Sequence, residues 1–556
     1  MDDSELSKLT IGFLLDRQAE RFGDRNFVAY PDGATHATYR QFRDRVNLVA
    51  RGLMALGVRK GEHVAVWAPN VVEWLFLQYA TAKIGAVLVP VNIACRAAEL
   101  EYVLANSETT TLFLGAGAVG VDYVAELRAV LPDVDAAPVG HGRFENLPRL
   151  QRLIFMGRAR LPGMLRFDDL SDLAVQTHPD DFRRRSEALA TFEVINLHYT
   201  SGTTAYPKGV MLTHRNIILN GWHVTGRLRL AETDSVCLPI PLCHSFGATG
   251  GSVGTMLRGA TLVLVDPIEP GSVLDAVSRE RCTAMYGAPA TFSALLEHPE
   301  LRSHDLSSLR TGVIGAAPVP TFLAQAIIDR MGVSELAVAY GLTEASPVVT
   351  QTSTDDPMDK RVGTAGKALP GVQIKSVDPK TGANVPAGTE GELCCRGHGV
   401  MKGYFKDPES TAEIIDAEGW LHTRDLATID PDGYVKLVGR LRDTIVRDGE
   451  KIYPREIEAF LFSHPKVADV HIIGVPNRKS GEDVCAAIKP KPGETIDRDE
   501  IAAFCQGRMQ DHKVPTLVMV VKDYPLTAGG KVSKHALRQI AIEKFGRQED
   551  AALATA

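Results

Sequence analysis

The 556-residue sequence lacks the patterns that mark several classes of protein. Its eight cysteines are scattered without a Cys-x-x-Cys pair, which argues against a disulfide framework or a zinc site and favours a reducing compartment. No apolar run is long enough for a transmembrane helix, and residues 1–5 have neither the basic nor the apolar region of a secretory signal. We therefore predict a cytoplasmic protein without a transmembrane segment.

The sequence also lacks an excess of positive charge. Its 61 basic and 68 acidic residues give a formal net charge of −7, which argues against nonspecific nucleic-acid binding. A content of 45% hydrophobic and 23% charged residues is ordinary for a soluble globular protein. Because the chain is too long for one ordinary hydrophobic core, we expect at least two domains.

Helical and strand patterns alternate along the first part of the chain. Apolar residues recur every three or four positions over residues 39–56, and a second helix is predicted over 71–84. Residues 63–68 and 86–91 are short apolar runs that favour buried strands. This alternation predicts an α/β fold with mostly parallel sheets. Residues 115–190 are less periodic and richer in Pro, Arg and Asp, so we interpret them as surface elements that join two subdomains.

A new β-α-β pattern begins after residue 440. Residues 444–446 and 467–475 have strand character, and a helix is predicted between them from about residue 455 to 462, with Pro454 suited to its first turn. About 115 residues are enough for a small independent domain. The predicted division is an N-terminal domain over 1–440, a C-terminal domain over 441–546 and a frayed tail over 547–556.

The loop at residues 198–209 reads His-Tyr-Thr-Ser-Gly-Thr-Thr-Ala-Tyr-Pro-Lys-Gly. Its backbone N–H groups, hydroxyl groups and single cation suit a polyphosphate. It is not a Walker A loop, because Pro207 stands five residues after Gly202 and a glycine follows Lys208. For this segment alone, a Ser/Thr-rich surface turn is the alternative interpretation.

Four further segments fit one family in order and spacing. They are Tyr340-Gly341-Leu342-Thr343-Glu344; Gly-Trp-Leu-His-Thr-Arg-Asp at 419–425; Gly-Arg-Leu-Arg-Asp at 439–443 with Gly449 and residues 454–458; and Pro525-Leu526-Thr527 with Gly530-Lys531. From about residue 13 to 541, the chain closely resembles the adenylate-forming superfamily of acyl-CoA synthetases, nonribosomal-peptide adenylation domains and beetle luciferases. The resemblance implies a large N-terminal domain of mixed and parallel sheets flanked by helices, a small mobile α+β C-terminal domain, and an active site between them.

The resemblance assigns the nucleotide to particular residues. Lys531 would contact the α-phosphate and the substrate carboxylate, Thr343 the α-phosphate, and Glu344 a Mg²⁺ ion, which prefers carboxylate oxygens. Asp425 and Arg440 match ligands of the ribose hydroxyls. The other implied contacts belong to the phosphate loop and the adenine site: Thr200, Ser201, Gly202, Thr203, Thr204, Lys208, Gly315, Ala316, Ala317, Pro318, Tyr340 and Gly341.

The resemblance also implies a second half-reaction and a pocket for the acid. The C-terminal domain would rotate about Arg442 and bring Gly449 to a pantetheine tunnel, where a glycine lets the backbone approach closely. The acid would lie against residues 244–247, 250–251 and 286–292. His244 would gate the carboxylate, with a purely structural histidine as the equal alternative.

Four positions depart from the residues that are usual in the family. Ala205 in the phosphate loop and Arg424 before the ribose aspartate stand where glycine is common, and the alanine would stiffen the loop. Val338 stands where a polar residue often bonds adenine, so base recognition would rest on backbone groups. Arg442 replaces an Asp or Lys. Whether Arg424 contacts the nucleotide stays open.

The predicted function is an ATP-dependent acyl-CoA synthetase that uses ATP, Mg²⁺ and CoA to activate a free apolar carboxylic acid. The pocket segments are apolar and rich in small residues, so a medium- to long-chain fatty acid is the first expectation. An aromatic or alicyclic carboxylate–CoA ligase, an acyl-AMP ligase that serves a carrier protein, and a catalytically silent nucleotide-binding regulator are the alternatives. The sequence leaves the oligomeric state open and is compatible with a homodimer.

Overall fold

A computed structural model describes residues 2–200, 207–526 and 532–554. The chain divides into two compact units. The first comprises Met1–Ile374 with Cys395–Leu421, and the second comprises Lys375–Cys394 with His422–Ala556. The predicted boundary at residue 440, which concerns a mobile C-terminal domain, stays a prediction.

Strands are numbered in chain order. They are β1 Asn26–Ala29, β2 His36–Thr38, β3 His63–Trp67, β4 Val87–Pro90, β5 Thr111–Leu114, β6 Gly117–Ala118, β7 Val121–Asp122, β8 Arg152–Phe155, β9 Leu165–Arg166, β10 Val194–Thr200, β11 Lys208–Thr213, β12 Ser235–Leu238, β13 Thr261–Leu264, β14 Ala284–Gly287, β15 Thr311–Ile314, β16 Glu335–Gly341, β17 Val348–Gln351, β18 Lys367–Ala368, β19 Val372–Val377, β20 Gly391–Gly397, β21 Leu421–Ile429, β22 Val435–Arg440, β23 Ile445–Arg447, β24 Glu450–Ile452, β25 Val467–Asn477, β26 Gly481–Pro490 and β27 Leu517–Val520.

Helices are numbered in the same way. They are α1 Asp3–Leu6, α2 Ile11–Phe22, α3 Tyr39–Ala55, α4 Val72–Ile84, α5 Ala97–Asn106, α6 Tyr123–Val130, α7 Asp169–Leu173, α8 Pro179–Glu187, α9 His214–Arg227, α10 Gly254–Arg258, α11 Pro270–Arg279, α12 Pro289–Glu297, α13 Thr321–Met331, α14 Met358–Gly363, α15 Pro408–Ile414, α16 Pro454–Leu461, α17 Arg498–Cys505, α18 Lys534–Lys544 and α19 Gln548–Ala554. A π-helix spans Phe246–Val253, and 3₁₀ turns include Thr343–Ala345 and Leu441–Asp443.

One sheet of the first unit runs in the order β18-β17-β16-β15-β14-β12-β13-β1-β2. From β16 to β1 the neighbouring strands are parallel, whereas β17 and β18 are antiparallel additions. Apolar side chains of β13–β16 pack with those of α11, α12 and α13 in one buried cluster. The α/β class predicted from the alternation of elements is therefore confirmed. Helix packing on these strands also explains why the strands read as continuous apolar runs.

A second sheet of this unit runs in the order β11-β10-β4-β3-β5-β8-β9. It corrects the interpretation of residues 115–190 as surface elements. Strand β8 pairs in parallel with β5, and all four of its residues are buried. Leu153 and Phe155 belong to the same apolar cluster as Leu112 and Leu114 of β5. Strand β8 begins with Arg152 and lies in a stretch rich in Pro and Arg, so its three apolar residues did not stand out in the sequence.

Local signals account for the helices that the sequence predicted. Helix α3 begins after Thr38, whose side chain accepts the Gln41 amide while the Gln41 side chain accepts the Thr38 amide. This capping box satisfies two helix-end donors, and the recurring apolar residues Phe42, Val46 and Leu53 are buried. A second capping box, from Thr213 and Asn216, starts α9 directly after β11. The predicted helix over 39–56 is therefore confirmed.

The second unit contains a sheet in the order β24-β23-β26-β25, with β27 parallel to β26. Apolar residues of α16 and α17 pack on this sheet in one cluster, and residues of α18 pack in another. Helix α19 corrects the expectation of a frayed tail over 547–556. Arg478 forms ion pairs with Glu549 and Asp550, so this helix is tied to the body of the unit.

All eight cysteines are buried thiols. In the part of the chain that the structure describes, none of the helices combines the length and the apolar character needed to cross a bilayer.

Candidate active site

The Thr343-Glu344 pair lies in a tight turn after β16. The strand ends at Gly341, and a 3₁₀ turn follows at Thr343–Ala345. A Cβ atom on Gly341 would lie 1.8 Å from the carbonyl oxygen of Pro347, so only glycine fits there. Helix α9 fixes the strand that follows the turn, because the Asn220 side chain donates to the Val348 carbonyl at 2.8 Å. The predicted pair is thus presented at the carboxyl end of a parallel strand, the usual place for ligands in α/β sheets.

Tyr404 contacts two of the charged residues that were predicted to face the nucleotide, Glu344 and Lys208. Its hydroxyl donates to Glu344 Oε1 at 2.7 Å, and the Lys208 ammonium lies 5.2 Å from the centre of its ring. Lys208 also donates to the Ser410 hydroxyl and lies 3.7 Å from Asp407 Oδ2. The structure therefore brings Lys208 and Glu344 into one polar cluster around Tyr404.

Asp407 caps α15 and supplies fixed negative charge beside Lys208. Its carboxylate accepts the Ser410 amide at 2.9 Å. The hydrogen bonds from Ser410, with a smaller contribution from Lys208, hold the pKa of the Asp407 carboxyl below its usual range. The anion is thus present at neutral pH and orients the lysine ammonium.

Part of the predicted phosphate-binding apparatus lies outside the described residues, namely Ser201, Gly202, Thr203, Thr204, Ala205 and Lys531. Thr200 is the last residue of β10, and its register partner on β11 is Lys208. The two strands are antiparallel, so the predicted phosphate loop joins the ends of a hairpin. Lys208 therefore stands at the base of that loop.

The segments predicted to bind the acid adjoin Thr343. The Ser245 and Thr343 hydroxyls are 3.2 Å apart, and the π-helix begins at the next residue, Phe246. The rings of Phe246 and Tyr286 stack with centroids 5.7 Å apart. The structure thus places the end of one predicted pocket segment beside the predicted nucleotide contact, and it packs the two pocket segments together. A π-helix is a rare element that often occurs at functional sites.

His244 is half-buried just before the π-helix, and its amide donates to the Pro241 carbonyl at 3.0 Å. The nearby His198 lies within 3.3 Å of the Cys243 carbonyl oxygen and is fully buried. Burial lowers the pKa of His198 to about 4, so this ring is neutral at pH 7. The proposed gating by His244 stays a prediction.

The predicted adenine site has a rigid backbone on one side. Gly315 follows β15, and a Cβ there would lie 2.7 Å from the Ala339 carbonyl oxygen. Ala316 adopts φ 68°, and Ala316, Ala317 and Pro318 are exposed. Tyr340 is buried near the end of β16. The side chain of Val338 packs in the apolar core, and its amide donates to the Thr352 hydroxyl oxygen at 2.8 Å.

The predicted ribose ligands meet within the second unit. Asp425 on β21 lies opposite Arg440 on β22, and Arg440 Nε donates to Asp425 Oδ1 at 2.9 Å. The Asp425 carboxylate is only 5% exposed, whereas the arginine side chain is 44% exposed. An arginine bond to a buried carboxylate fixes its orientation. Antiparallel pairing explains how residues 15 positions apart come together.

Arg424 departs from the family in a way that the backbone explains. Its φ is 59°, in the left-handed region where glycine is unstrained, and its side chain is exposed. Its amide donates to Glu392 Oε1 at 2.9 Å. Glycine is common at this position in the family because the backbone there is left-handed. In this chain, Arg424 adopts the same left-handed conformation.

The structure describes the predicted tunnel residue Gly449 and the predicted hinge residue Arg442, each in a turn between strands. Asp448 and Gly449 adopt φ of 52° and 82° between β23 and β24. Positive φ at both central residues is typical of a type I′ hairpin turn, for which Asp-Gly is a favoured sequence. Arg442 is exposed in the 3₁₀ turn after β22. The hinge and tunnel roles stay predictions.

Sequence reasoning missed Tyr404, Asp407 and Ser410. Tyr404 lies 60 residues from Glu344, and no local spacing connects them. Asp407 carries one usable signal, because an Asp before Pro408 is typical of a helix start.

Comparison with known proteins decides the family. A family model described as AMP-binding enzyme matches residues 15–405, which is more than half of the chain, and a model of the AMP-binding enzyme C-terminal domain matches residues 456–531. The chain belongs to the AMP-binding enzyme family. The resemblance inferred from the motifs is thereby confirmed for this AMP-binding enzyme.

Two relatives cover nearly all of the chain. YngI of Bacillus subtilis, whose name provisionally assigns it to the acyl-CoA synthetases, is 44% identical over 98% of this chain and 99% of its own length. The mitochondrial medium-chain acyl-CoA ligase ACSF2 of Bos taurus is 38% identical over 96% of this chain and 88% of its own length. This AMP-binding enzyme is therefore an acid–thiol ligase of the acyl-CoA synthetase class, which uses ATP and CoA.

Solved structures agree with the fold. The anthranilate CoA ligase AuaEII, in complex with anthranoyl-AMP, matches with a TM-score of 0.84 at 27% identity and covers 98% of this chain and 100% of its own. ATP-bound MatB from Rhodopseudomonas palustris matches with a TM-score of 0.80 at 27% identity, over 96% of this chain and 99% of its own. The adenylate-forming fold expected from the sequence is confirmed.

Proposed function

We propose that this enzyme activates medium-chain fatty acids. In the first half-reaction, a carboxylate oxygen attacks the α-phosphorus of ATP, and pyrophosphate leaves to give an acyl-adenylate. In the second, the sulfur of CoA attacks the acyl carbonyl carbon, the thiol proton is lost, and AMP leaves. Both steps depend mainly on positioning and on stabilising charge at phosphorus and at the carbonyl oxygen.

The lining of the predicted acid pocket carries this proposal. The π-helix Phe246–Val253 and the segment 286–292 contain no charged residue, and every residue of the π-helix is buried. Such a wall has nothing to pair an ammonium or a second carboxylate group, so it suits an unsubstituted hydrocarbon chain. The name of the ACSF2 relative supports the medium-chain class. One methylene is worth only about 1–3 kcal/mol in such a pocket, so selectivity for chain length is expected to be graded.

The proposed roles of individual residues come from the family resemblance, and the polar cluster around Tyr404 supports those of Glu344 and Lys208. Glu344 would hold Mg²⁺, and a carboxylate already oriented by the Tyr404 hydroxyl fits a cation that prefers oxygen ligands. When bound, the ion would neutralise phosphate charge. Lys208 would receive the leaving pyrophosphate, Thr343 would donate to the α-phosphate, and Lys531 would stabilise the charge that develops during attack. Asp425 and Arg440 would bind the ribose.

An aromatic carboxylic acid is the second candidate. The stacked rings of Phe246 and Tyr286 would give a flat aromatic acid a face to pack on. The match to AuaEII, an anthranilate CoA ligase, supports this alternative at the level of the fold.

The test is a panel of carboxylic acids assayed for pyrophosphate and AMP release with ATP and Mg²⁺, each with and without CoA. We expect turnover that depends on CoA and is highest for medium-chain fatty acids. Highest turnover on benzoate-type acids would instead establish the aromatic candidate. Adenylate formation that is indifferent to CoA would point to a carrier-protein acceptor.

Lys531→Ala is the control variant for catalysis. We expect it to lower adenylate formation by about 10²-fold or more, as for removal of one electrostatic stabiliser of the transition state, while nucleotide binding persists. Nucleotide binding without turnover in the unaltered enzyme over the whole panel would favour the silent regulator.

A further inference from the structure

Three different metal-binding side chains meet in a four-stranded sheet of the order β19-β20-β21-β22. Glu392 and Cys394 lie two positions apart on β20, so they share one face of that strand, and His422 lies on the neighbouring strand β21. One ligand atom from each of the three residues lies within 4.8 Å of the others. None of the predicted catalytic roles uses this cluster.

The distances within the cluster suit a tetrahedral ion. His422 Nδ1 lies 3.0 Å from Glu392 Oε2 and 3.4 Å from Cys394 Sγ. Ordinary zinc bond lengths, about 2.0–2.1 Å to nitrogen or oxygen and about 2.3 Å to sulfur, place tetrahedral ligand atoms about 3.3–3.6 Å apart. The two distances from His422 Nδ1 therefore lie within a few tenths of an ångström of those in a tetrahedral zinc site.

Burial and outer hydrogen bonding also suit a metal centre. Cys394 is fully buried and the Glu392 carboxylate is only 9% exposed, whereas the His422 side chain is 28% exposed. The second oxygen of Glu392 accepts the Arg424 amide at 2.9 Å. Such a bond fixes the orientation of a ligating carboxylate, as outer partners do in known sites. The exposed edge of the histidine gives an ion a way in from solvent.

We propose that Glu392, Cys394 and His422 form a binding site for one divalent transition-metal ion, with Zn²⁺ as the best chemical match. Nitrogen and thiolate ligands favour Zn²⁺ over Mg²⁺, which takes oxygen ligands, so this site is distinct from the Mg²⁺ position proposed at Glu344. Cys394 binds as the thiolate and loses its proton to solvent. Three protein ligands leave the fourth position for water.

The site departs from the sequence-based expectation that no zinc site is present. That expectation rested on the lack of a Cys-x-x-Cys pair, whereas this cluster uses one cysteine and joins residues 30 positions apart. Strand pairing brings them together, because β20 and β21 are hydrogen-bonded neighbours in the sheet.

The test uses the full-length enzyme, stripped with a chelator and then titrated with Zn²⁺ or Co²⁺ in the absence of nucleotide. We expect one ion per chain in competition with a chromophoric chelator, a thiolate-to-metal charge-transfer band with Co²⁺, and a rise in Tm with Zn²⁺ but not with Mg²⁺. Absence of the charge-transfer band in the unaltered enzyme would overturn the proposal, whatever its acyl substrate proves to be.

Cys394→Ser and His422→Gln should each weaken Zn²⁺ binding by at least about tenfold, because losing a direct ligand should cost no less than losing an outer partner. Cys395→Ser is the matched control, since the adjacent buried cysteine points to the other face of β20. It should bind Zn²⁺ as the unaltered enzyme does. Equal affinity in all three variants would place the ion elsewhere and refute the site.

Discussion

One tyrosine contacts two charged residues of the candidate active site. Tyr404 donates to Glu344 at 2.7 Å, and its ring carries Lys208 on its face. A hydrogen bond to an ionised carboxylate is stronger than one between neutral groups and restricts its rotation. Tyr404 is therefore a positioning residue for Glu344, although no motif identified it.

We expect Tyr404→Phe to lower kcat/KM for adenylate formation by about 10-fold to 10²-fold, since a hydrogen bond to a charged group is worth about 1.5–3 kcal/mol. The Mg²⁺ concentration needed for half-maximal rate should rise. Pyrophosphate release at several Mg²⁺ concentrations measures both effects.

The control is Tyr39→Phe, which removes a buried hydroxyl that donates to the Ala260 carbonyl at 2.7 Å, far from any predicted role. It should cost stability but leave the Mg²⁺ dependence unchanged. An unchanged Mg²⁺ dependence in Tyr404→Phe as well would show that Glu344 does not need this bond.

Arg424 holds a backbone conformation that a side chain disfavours, with φ 59°. We expect Arg424→Gly to be more stable than Arg424→Ala by about 1 kcal/mol, because only glycine adopts left-handed φ without a Cβ penalty. Both variants lose the arginine side chain, so the difference isolates the backbone. Urea unfolding measures the difference in stability between the two variants. Equal free energies of unfolding for Arg424→Ala and Arg424→Gly would show that the backbone at this position is not strained.

The end of β16 and its return through β17 form the element that presents Thr343 and Glu344. Strand pairing of Gly341 with Val348 closes this element tightly. The backbone of Gly341 lies so close to the Pro347 carbonyl that this element has no room for a side chain at position 341. The motif itself was visible in the sequence, but the reason for its glycine lies in Pro347, which approaches only when β17 turns back.

We expect Gly341→Ala to lower adenylate formation by at least about 10²-fold, because a Cβ 1.8 Å from the Pro347 oxygen must displace the turn, and a shift of about 1 Å in a catalytic group costs that much. Gly363→Ala in α14 is the control, as no heavy atom lies within 4 Å of its Cβ position. Initial rates of pyrophosphate release compare them. A fully active Gly341→Ala would contradict the assigned position of the turn.

Elements with strong local periodicity were predicted well, and weakly patterned ones were not. The amphipathic α3 and the apolar β3 match the predicted segments within one or two residues. Strand β8 was missed because its three apolar residues follow Arg152 in a stretch rich in Pro and Arg. Helix α19 was missed because its sequence has no regularly recurring apolar residues. Their stability comes from neighbours distant in sequence.

The first unit holds several histidines in their neutral form through burial. Burial lowers the pKa of His198 and of His398 to about 4 and that of His214 to about 3, all below the ordinary value of 6.5. Between about pH 6.5 and pH 4, the unfolded chain therefore binds more protons than the folded one. The free energy of unfolding must fall as the pH falls through this window, and it is fully retained above it.

We expect the enzyme to lose up to about 2 kcal/mol of stability per buried histidine between pH 7 and pH 5. His198→Gln should reduce this pH dependence, even if the variant is less stable at pH 7. His141→Gln, which changes an exposed histidine, should keep it. Urea unfolding at both pH values measures the free energy of unfolding. If that free energy changed with pH as much in His198→Gln as in the unaltered enzyme, His198 would be excluded as a contributor.

The sequence by itself determined the α/β class, the main helices and strands, and the motifs that identify the family, because each depends on residues a few positions apart. Only the tertiary structure decided which side chains meet: Tyr404 with Glu344, Lys208 with Asp407, and Cys394 with His422. These contacts depend on the order and register of strands. Strand order follows from burying many apolar faces at once, and no local pattern encodes it.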